Sequence, residues 1–252
     1  MSEFIYTEQR DQVLLLQIRY EQTLNCLNNE ILKEIAGILR EFSRDPGLRV
    51  VIVTGTGRSF CTGADLKAFT RLSQEDCVDY CMDYEEDIFH ILSASRKLSI
   101  AAVNGYAMGG GMELALACDF RIGVPKTQFA APEYGFGWVP GWGGVHRLGK
   151  LLGSARAKEV LFLKEKLRAE KALELGLLSE IVENPDDLVD RAFAMGEQLA
   201  GLNPLTVTYT KTILNDFDVP VWDSLAQGLV NGITSKSVYA REQVEAFFNR
   251  KK

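Results

Sequence analysis

Residues 98–124 read LSIAAVNGYAMGGGMELALACDFRIGV. The stretch begins with an apolar run, LSIAAVNG at 98–105, and ends with a second, CDFRIGV at 118–124. Short continuous apolar runs of this kind are strands buried on both faces. Between them MELALAC has helical character, so the unit reads strand, glycine-rich turn, helix, strand. Glycine is costly in a helix interior, yet three stand together at 109–111, directly in front of Glu113.

Working outward, RVVIVTG at 49–55 is another apolar run ending in glycine. Upstream, 4–10 and 12–19 have strand character. Residues 28–45 carry Ile31, Leu32, Ile35, Ile38, Leu39 and Phe42 at helical spacing, closed by DPG at 45–47. Residues 73–96 form a long helical stretch. Strands therefore alternate with helices through about residue 135, which makes the fold class α/β with a layered core. From Gly141 onward helices dominate, broken by the strand-like SEIVE at 179–183, and 220–249 reads as wholly helical. The division expected is a core over 1–195 and a C-terminal helical region over 196–252.

The 252 residues suffice for a sizeable core. A net charge of −6 and a pI near 5.2 give no general support to nucleic-acid binding. No apolar run reaches the roughly 20 residues that span a bilayer. The first residues, MSEFIYTEQRD, lack a secretory or transit pattern, so a cytoplasmic protein is expected. Cys26, Cys61, Cys77, Cys81 and Cys118 are scattered and odd in number, as reduced thiols are. With only His90 and His146 to join them, they supply no zinc ligand set.

Two strands end in glycine-bearing loops, VIVTGTGRSFCTGADL at 51–66 and AAVNGYAMGGGMEL at 101–114. Such loops lie at the carboxyl ends of parallel strands, where α/β folds place ligands. Neither is a phosphate cradle: Phe60 stands where G-x-G-x-x-G needs glycine, and G-K-[ST] is missing. A helix starting near Gly110 does offer unpaired N–H groups and a positive dipole end, which suit an oxyanion. Close helix packing would ask for the same glycines. Glu113 lies among Met112, Leu114, Ala115, Leu116 and Ala117, and a carboxylate in such a run is paired, capping or catalytic. Glu133 follows in FAAPEYGFGWVPGWGG beside a further glycine-rich loop. The two could form a general acid/base pair, although Glu133 is also a dipole-favoured first-turn residue after Pro132.

Taken together, LNCL (24–27), VVIVTGTGRSFCTGADL (50–66), IAAVNGYAMGGGMELALACDFRI (100–122), PEYGFGWVPGWGGVHRL (132–148), LGLLSEIV (175–182) and AFFNRKK (246–252) resemble, in order and spacing, the crotonase superfamily. Within it they are most similar to the enoyl-CoA hydratases, over about residues 4–250. The resemblance implies a spiral of ββα repeats with a C-terminal helical trimerisation region, giving homotrimers or hexamers. It implies acyl-CoA thioester substrates and no metal or redox cofactor. The N–H groups of Ala64 and Gly110 would form an oxyanion hole. Glu113 would activate water, Glu133 would be the principal acid/base at C2, and Gly141 would lie close to the attacking water. Cys26, Asp65, Leu66, Lys67 and Arg250 fall at CoA-contacting positions. Isomerases or lyases of the same superfamily could keep both glutamates, and one relative type binds RNA.

The chain departs from the family pattern at Trp142, where hydratases have a small residue, and at Trp138. Two indoles there would either pack under the loop or reshape an acyl pocket for a short, flat or cyclic group. RYEQTLNCL lacks the family's usual proline and basic residue, and Asn231 replaces an aromatic position near adenine.

Overall fold

The computed structural model describes residues 3–215 together with Val238, Glu242 and Asn249. The chain divides into two compact units, Met1–Ala200 and Gly201–Lys252. Arg250, Asn231 and nearly all of the 220–249 stretch lie outside the described residues.

In the first unit, β1 (Ile5–Arg10) and β2 (Val13–Ile18) form an antiparallel pair, and α1 (Asn29–Arg44) follows. Asn28 caps α1 by accepting the Ile31 N–H at 2.8 Å, and the stripe Ile31, Leu32, Ile35, Leu39 and Phe42 is buried as its spacing predicts. Next come β3 (Val50–Gly55), β4 (Ser59–Cys61), α2 (Leu66–Phe69) and α3 (Gln74–Tyr84). The long helical stretch is interrupted after α3 by a π-helical turn, Glu85–His90, before α4 (Ile91–Ala94). Then follow β5 (Leu98–Val103), β6 (Tyr106–Met108), α5 (Gly110–Ala117), β7 (Phe120–Gly123) and β8 (Gln128–Ala130). The unit ends with α6 (Gly144–Leu152), α7 (Ser154–Phe162), β9 (Leu167–Arg168), α8 (Ala169–Glu174), β10 (Glu180–Ile181) and α9 (Leu188–Ala200). In the second unit, α10 spans Pro204–Asn215.

One sheet runs β1-β2-β3-β5-β7-β10, parallel throughout except at β1-β2. Its central strands are predominantly apolar on both faces because both faces are covered. Leu16, Val51, Val53, Ala101 and Val103 join the core that includes α1 and α5. Val13, Leu15, Val50, Ile52, Ile100 and Ala102 face the other way, onto Leu188, Ala192 and Phe193 of α9. The sequence boundary at 195/196 therefore falls within α9, whose last residue closes the first unit.

A second sheet, β4-β6-β8-β9, is built from strands of two or three residues. β4 and β6 lie inside the segments read from sequence as glycine loops. Their parallel pairing sets the 62–65 and 109–110 turns side by side. Among the described residues, no helix is long and apolar enough to cross a membrane.

Candidate active site

Where these turns meet the loop after β8 there is a cavity of about 400 Å³, within the usual range for small-molecule sites. Ala64 and Gly110 both line it. A parallel bridge to Leu27 pins Ala64 from behind: Leu27 N–H donates to the Gly63 carbonyl and Asp65 N–H to the Leu27 carbonyl. A Cβ built on Gly63 would stand 2.8 Å from the Gly110 nitrogen, so the two backbones touch. Neither the Ala64 nor the Gly110 N–H donates a hydrogen bond within the described residues. Two open donors on adjacent turns are the arrangement an oxyanion needs.

The glycines are there for close approach. Gly110 has no room for a side chain, because a Cβ would collide with the Trp142 indole. Gly109 has φ +53°, and a Cβ there would come within 2.5 Å of Glu133 Oε1.

Both candidate carboxylates line the same cavity. Glu113 is 4% exposed, on the first turn of α5. Its Oε1 accepts N–H groups from Trp142 at 2.8 Å and Gly144 at 2.9 Å. Glu113 thus caps the start of α6 rather than its own helix, in a concave nest of backbone donors. Burial still wins: it pushes the Glu113 carboxyl up to about 7, against those two bonds, and the charges of Glu133 and Glu85 push the same way. Glu133 sits in the single turn Pro132–Gly135. Burial raises it as well, opposed by its own backbone N–H. Its Oε2 is buried without a hydrogen-bond partner. Two raised carboxyls in one apolar pocket are suited to exchanging protons near neutral pH.

Aromatic rings wall the cavity. Trp142 is 3% exposed and stacks on Phe89, with centroids 5.0 Å apart and planes at 21°. Tyr80 also packs against it, tilted, at 5.7 Å. Trp138 is half-buried between Phe69 at 5.3 Å and Phe136 at 5.4 Å. Both indoles therefore line the cavity, and Trp142 belongs to the hydrophobic core as well. Gly141 lines the cavity beside Cys81, whose Sγ would lie 2.8 Å from a Cβ built there.

The profile of the enoyl-CoA hydratase/isomerase family matches residues 8–245. The chain belongs to that family. It is 34% identical to a crotonyl-CoA hydratase of Syntrophomonas wolfei over 85% of this chain and 82% of that one. It is equally identical to a short-chain-enoyl-CoA hydratase of Clostridium acetobutylicum, over 84% and 80%. The crystal structure of an enoyl-CoA hydratase from Bacillus anthracis superposes with a TM-score of 0.89 at 29% identity, covering 98% of this chain and 97% of that one.

Of the other residues marked by the family resemblance, Leu66 lines the cavity, and Asp65 and Lys67 flank it in sequence. Leu66 is 47% exposed, and Asp65 caps α2 by accepting the Lys67 and Ala68 N–H groups. Cys26 is half-buried, and its thiol is raised first by burial, with Asp65 adding to the shift. From sequence, Cys77 and Cys81 read only as reduced thiols and Tyr80 does not stand out, yet all three line the cavity from α3. Their i, i+3, i+4 spacing, continued by Tyr84, is the helical signal that could have found them.

Proposed function

We propose that this family member is an enoyl-CoA hydratase, adding water reversibly across the C2=C3 bond of a 2-enoyl-CoA thioester. The observation that carries the reading is one cavity lined by a buried carboxyl, Glu113, a half-buried one with a buried oxygen, Glu133, and two open backbone donors. In the proposed reaction the thioester oxygen accepts hydrogen bonds from the Ala64 and Gly110 N–H groups. They stabilise the negative charge that grows there as the C3–O bond forms, each typically by about 2.7–4 kcal/mol. Glu113, ionised and held by two N–H groups, takes a proton from the attacking water, with Gly141 alongside. Glu133 delivers a proton to C2, and the proton left on Glu113 is then exchanged back to Glu133 through solvent to restore the starting state. Dehydration runs the same steps backwards. The chemistry is acid–base throughout and calls for no metal or redox cofactor.

The acyl group we assign is short, flat or cyclic. Trp142 presses on Gly110 and closes the cavity beside the reacting carbons. The names of the crotonyl-CoA and short-chain relatives agree with this size. Cys26, Asp65, Leu66, Lys67 and Arg250 are proposed to meet the CoA portion. A cytoplasmic homotrimer, or a dimer of trimers, completes the reading on the strength of the family resemblance.

The test is to mix the protein with crotonyl-CoA and follow the enoyl absorbance. Loss of absorbance with formation of the 3-hydroxyacyl product is expected. A protein that hydrates neither crotonyl-CoA nor any longer enoyl-CoA overturns the proposal.

A further inference from the structure

We infer that Arg147 is a positioning residue for Glu113: with Glu85 it clamps the 142–144 turn in the shape that aims two N–H groups at that carboxylate. Arg147 lies in the first turn of α6, the end where the helix dipole disfavours a cation. Something must offset that, and the side chain, only 15% exposed, has partners on both terminal nitrogens. Its Nη1 donates to the Trp142 carbonyl at 2.7 Å. Its Nη2 donates to Glu85 Oε1 at 2.7 Å and to Ser93 Oγ at 3.3 Å.

The peptide carrying the Trp142 carbonyl lies between the two peptides whose N–H groups bind Glu113 Oε1. Fixing its plane fixes both donors. Gly143, at φ +74°, forms the bend, and a Cβ there would come 2.5 Å from Arg147 Nη1 and 3.0 Å from Glu85 Oε1. The π-helical turn supplies both braces. Glu85 opens it and pairs with Arg147, and Phe89, four residues on, stacks on the Trp142 ring. Such turns recur at functional sites. The planar guanidinium meets the carbonyl and the carboxylate from two nitrogens held in one fixed fork, whereas an ammonium must serve both from a single nitrogen on a flexible stem.

Several ionisable groups bear on Glu113: Glu133 and Tyr134 from the Pro132–Gly135 turn, Glu85 from the π-helical turn and Cys81 from α3, with Arg147 from α6 paired to Glu85. Loosening the 142–144 turn removes the two bonds that favour ionised Glu113, so its titration should move to higher pH.

The test uses ligand-free full-length protein with glutamate ¹³C-labelled at the side-chain carboxyl, Glu113 being assigned through Glu113→Gln. In Arg147→Gln and in Arg147→Lys the Glu113 midpoint is expected to rise by roughly one pH unit. The Trp142 and Gly144 N–H groups should exchange faster with solvent. The acid limb of kcat should follow the midpoint, falling about tenfold for each pH unit that the midpoint rises, with KM little changed. Arg147→Lys decides the matter, because it keeps the charge and loses the fork. A wild-type midpoint and wild-type N–H exchange in Arg147→Lys overturn the inference, even if Arg147→Gln fails to fold. The kinetic arm rests on the hydratase reading, whereas the titration and exchange do not. A wild-type protein inactive on enoyl-CoA would therefore sink that reading and leave the clamp to be judged on its own.

Discussion

Glu113 and Glu133 share one cavity and are held in opposite ways. Glu113 stands on α5, packed against the main sheet, and one of its oxygens takes two backbone N–H groups. Glu133 sits on a single turn at the rim, with an oxygen buried and unpartnered. A carboxylate fixed by two donors is oriented and kept able to ionise. A carboxyl with a bare buried oxygen has fewer donors to favour its ionised form, and burial raises it. In the proposed reaction the same side chain would serve as an oriented base at one position and as a proton donor at the other, through backbone context alone.

The strongest way to break this contrast is to neutralise each carboxyl. Glu133→Gln and Glu113→Gln should each lower kcat for crotonyl-CoA by roughly 10²–10⁴-fold, the usual worth of a positioned acid or base. Their stabilities should then diverge. Folded Glu113 titrates near 7 and an unfolded glutamate near about 4.3, so the folded state holds the proton more tightly. Wild-type stability must fall as pH rises through that window. Glu113→Gln should therefore be more stable than wild type at pH 8, on the order of 1–3 kcal/mol. The gain should shrink toward zero by pH 4. Thermal unfolding at the two pH values checks it, and a Glu113→Gln protein less stable at pH 8 than wild type would contradict the burial argument.

A smaller effect isolates the geometry of Glu133. Gly109→Ala meets Glu133 Oε1 at 2.5 Å, whereas Gly137→Ala, also at positive φ, meets nothing within 4 Å. Both should lose about 1–2 kcal/mol of stability to backbone strain. Only Gly109→Ala should also lower kcat, by roughly 10- to 100-fold, because it displaces the carboxyl. Equal kcat values for the two variants would show that the position of Glu133 does not matter.

What could be read from the sequence followed the same division between core and rim. β3, β5 and β7 were legible because both faces are buried and their apolar runs are continuous. α1 was legible because one stripe is buried. β4, β6 and β8, at three residues each, are too short to show a period, and β4 and β6 hid inside glycine turns. The π-helical turn left no mark, since its residues are ordinary helix formers. Glu113 and Glu133 were found as carboxylates in apolar or glycine-rich settings. What no spacing could show was that Glu113 caps a helix starting 31 residues later, with Arg147 behind it. Those contacts depend on how α5 and α6 pack.

The mildest expected effect separates the two indoles. Trp142 abuts Gly110 and reaches the part of the cavity where the oxygen and the reacting carbons would lie. Trp142→Ala should shift kcat/KM toward longer enoyl groups. Trp138 touches Phe69 and Phe136 instead, and its backbone N–H to the Glu133 carbonyl survives truncation of the ring. Trp138→Ala thus removes apolar contacts, each ring pair worth about 0.5–1.5 kcal/mol, without moving an acid, a base or an open N–H. Interactions equal in ground and transition state set KM and leave kcat alone. KM for crotonyl-CoA should rise roughly three- to tenfold at unchanged kcat and unchanged chain-length preference. A fall in kcat would mean that the outer ring of aromatics also holds Glu133 in place, and the line between oriented core and permissive rim would have to move outward to include Trp138.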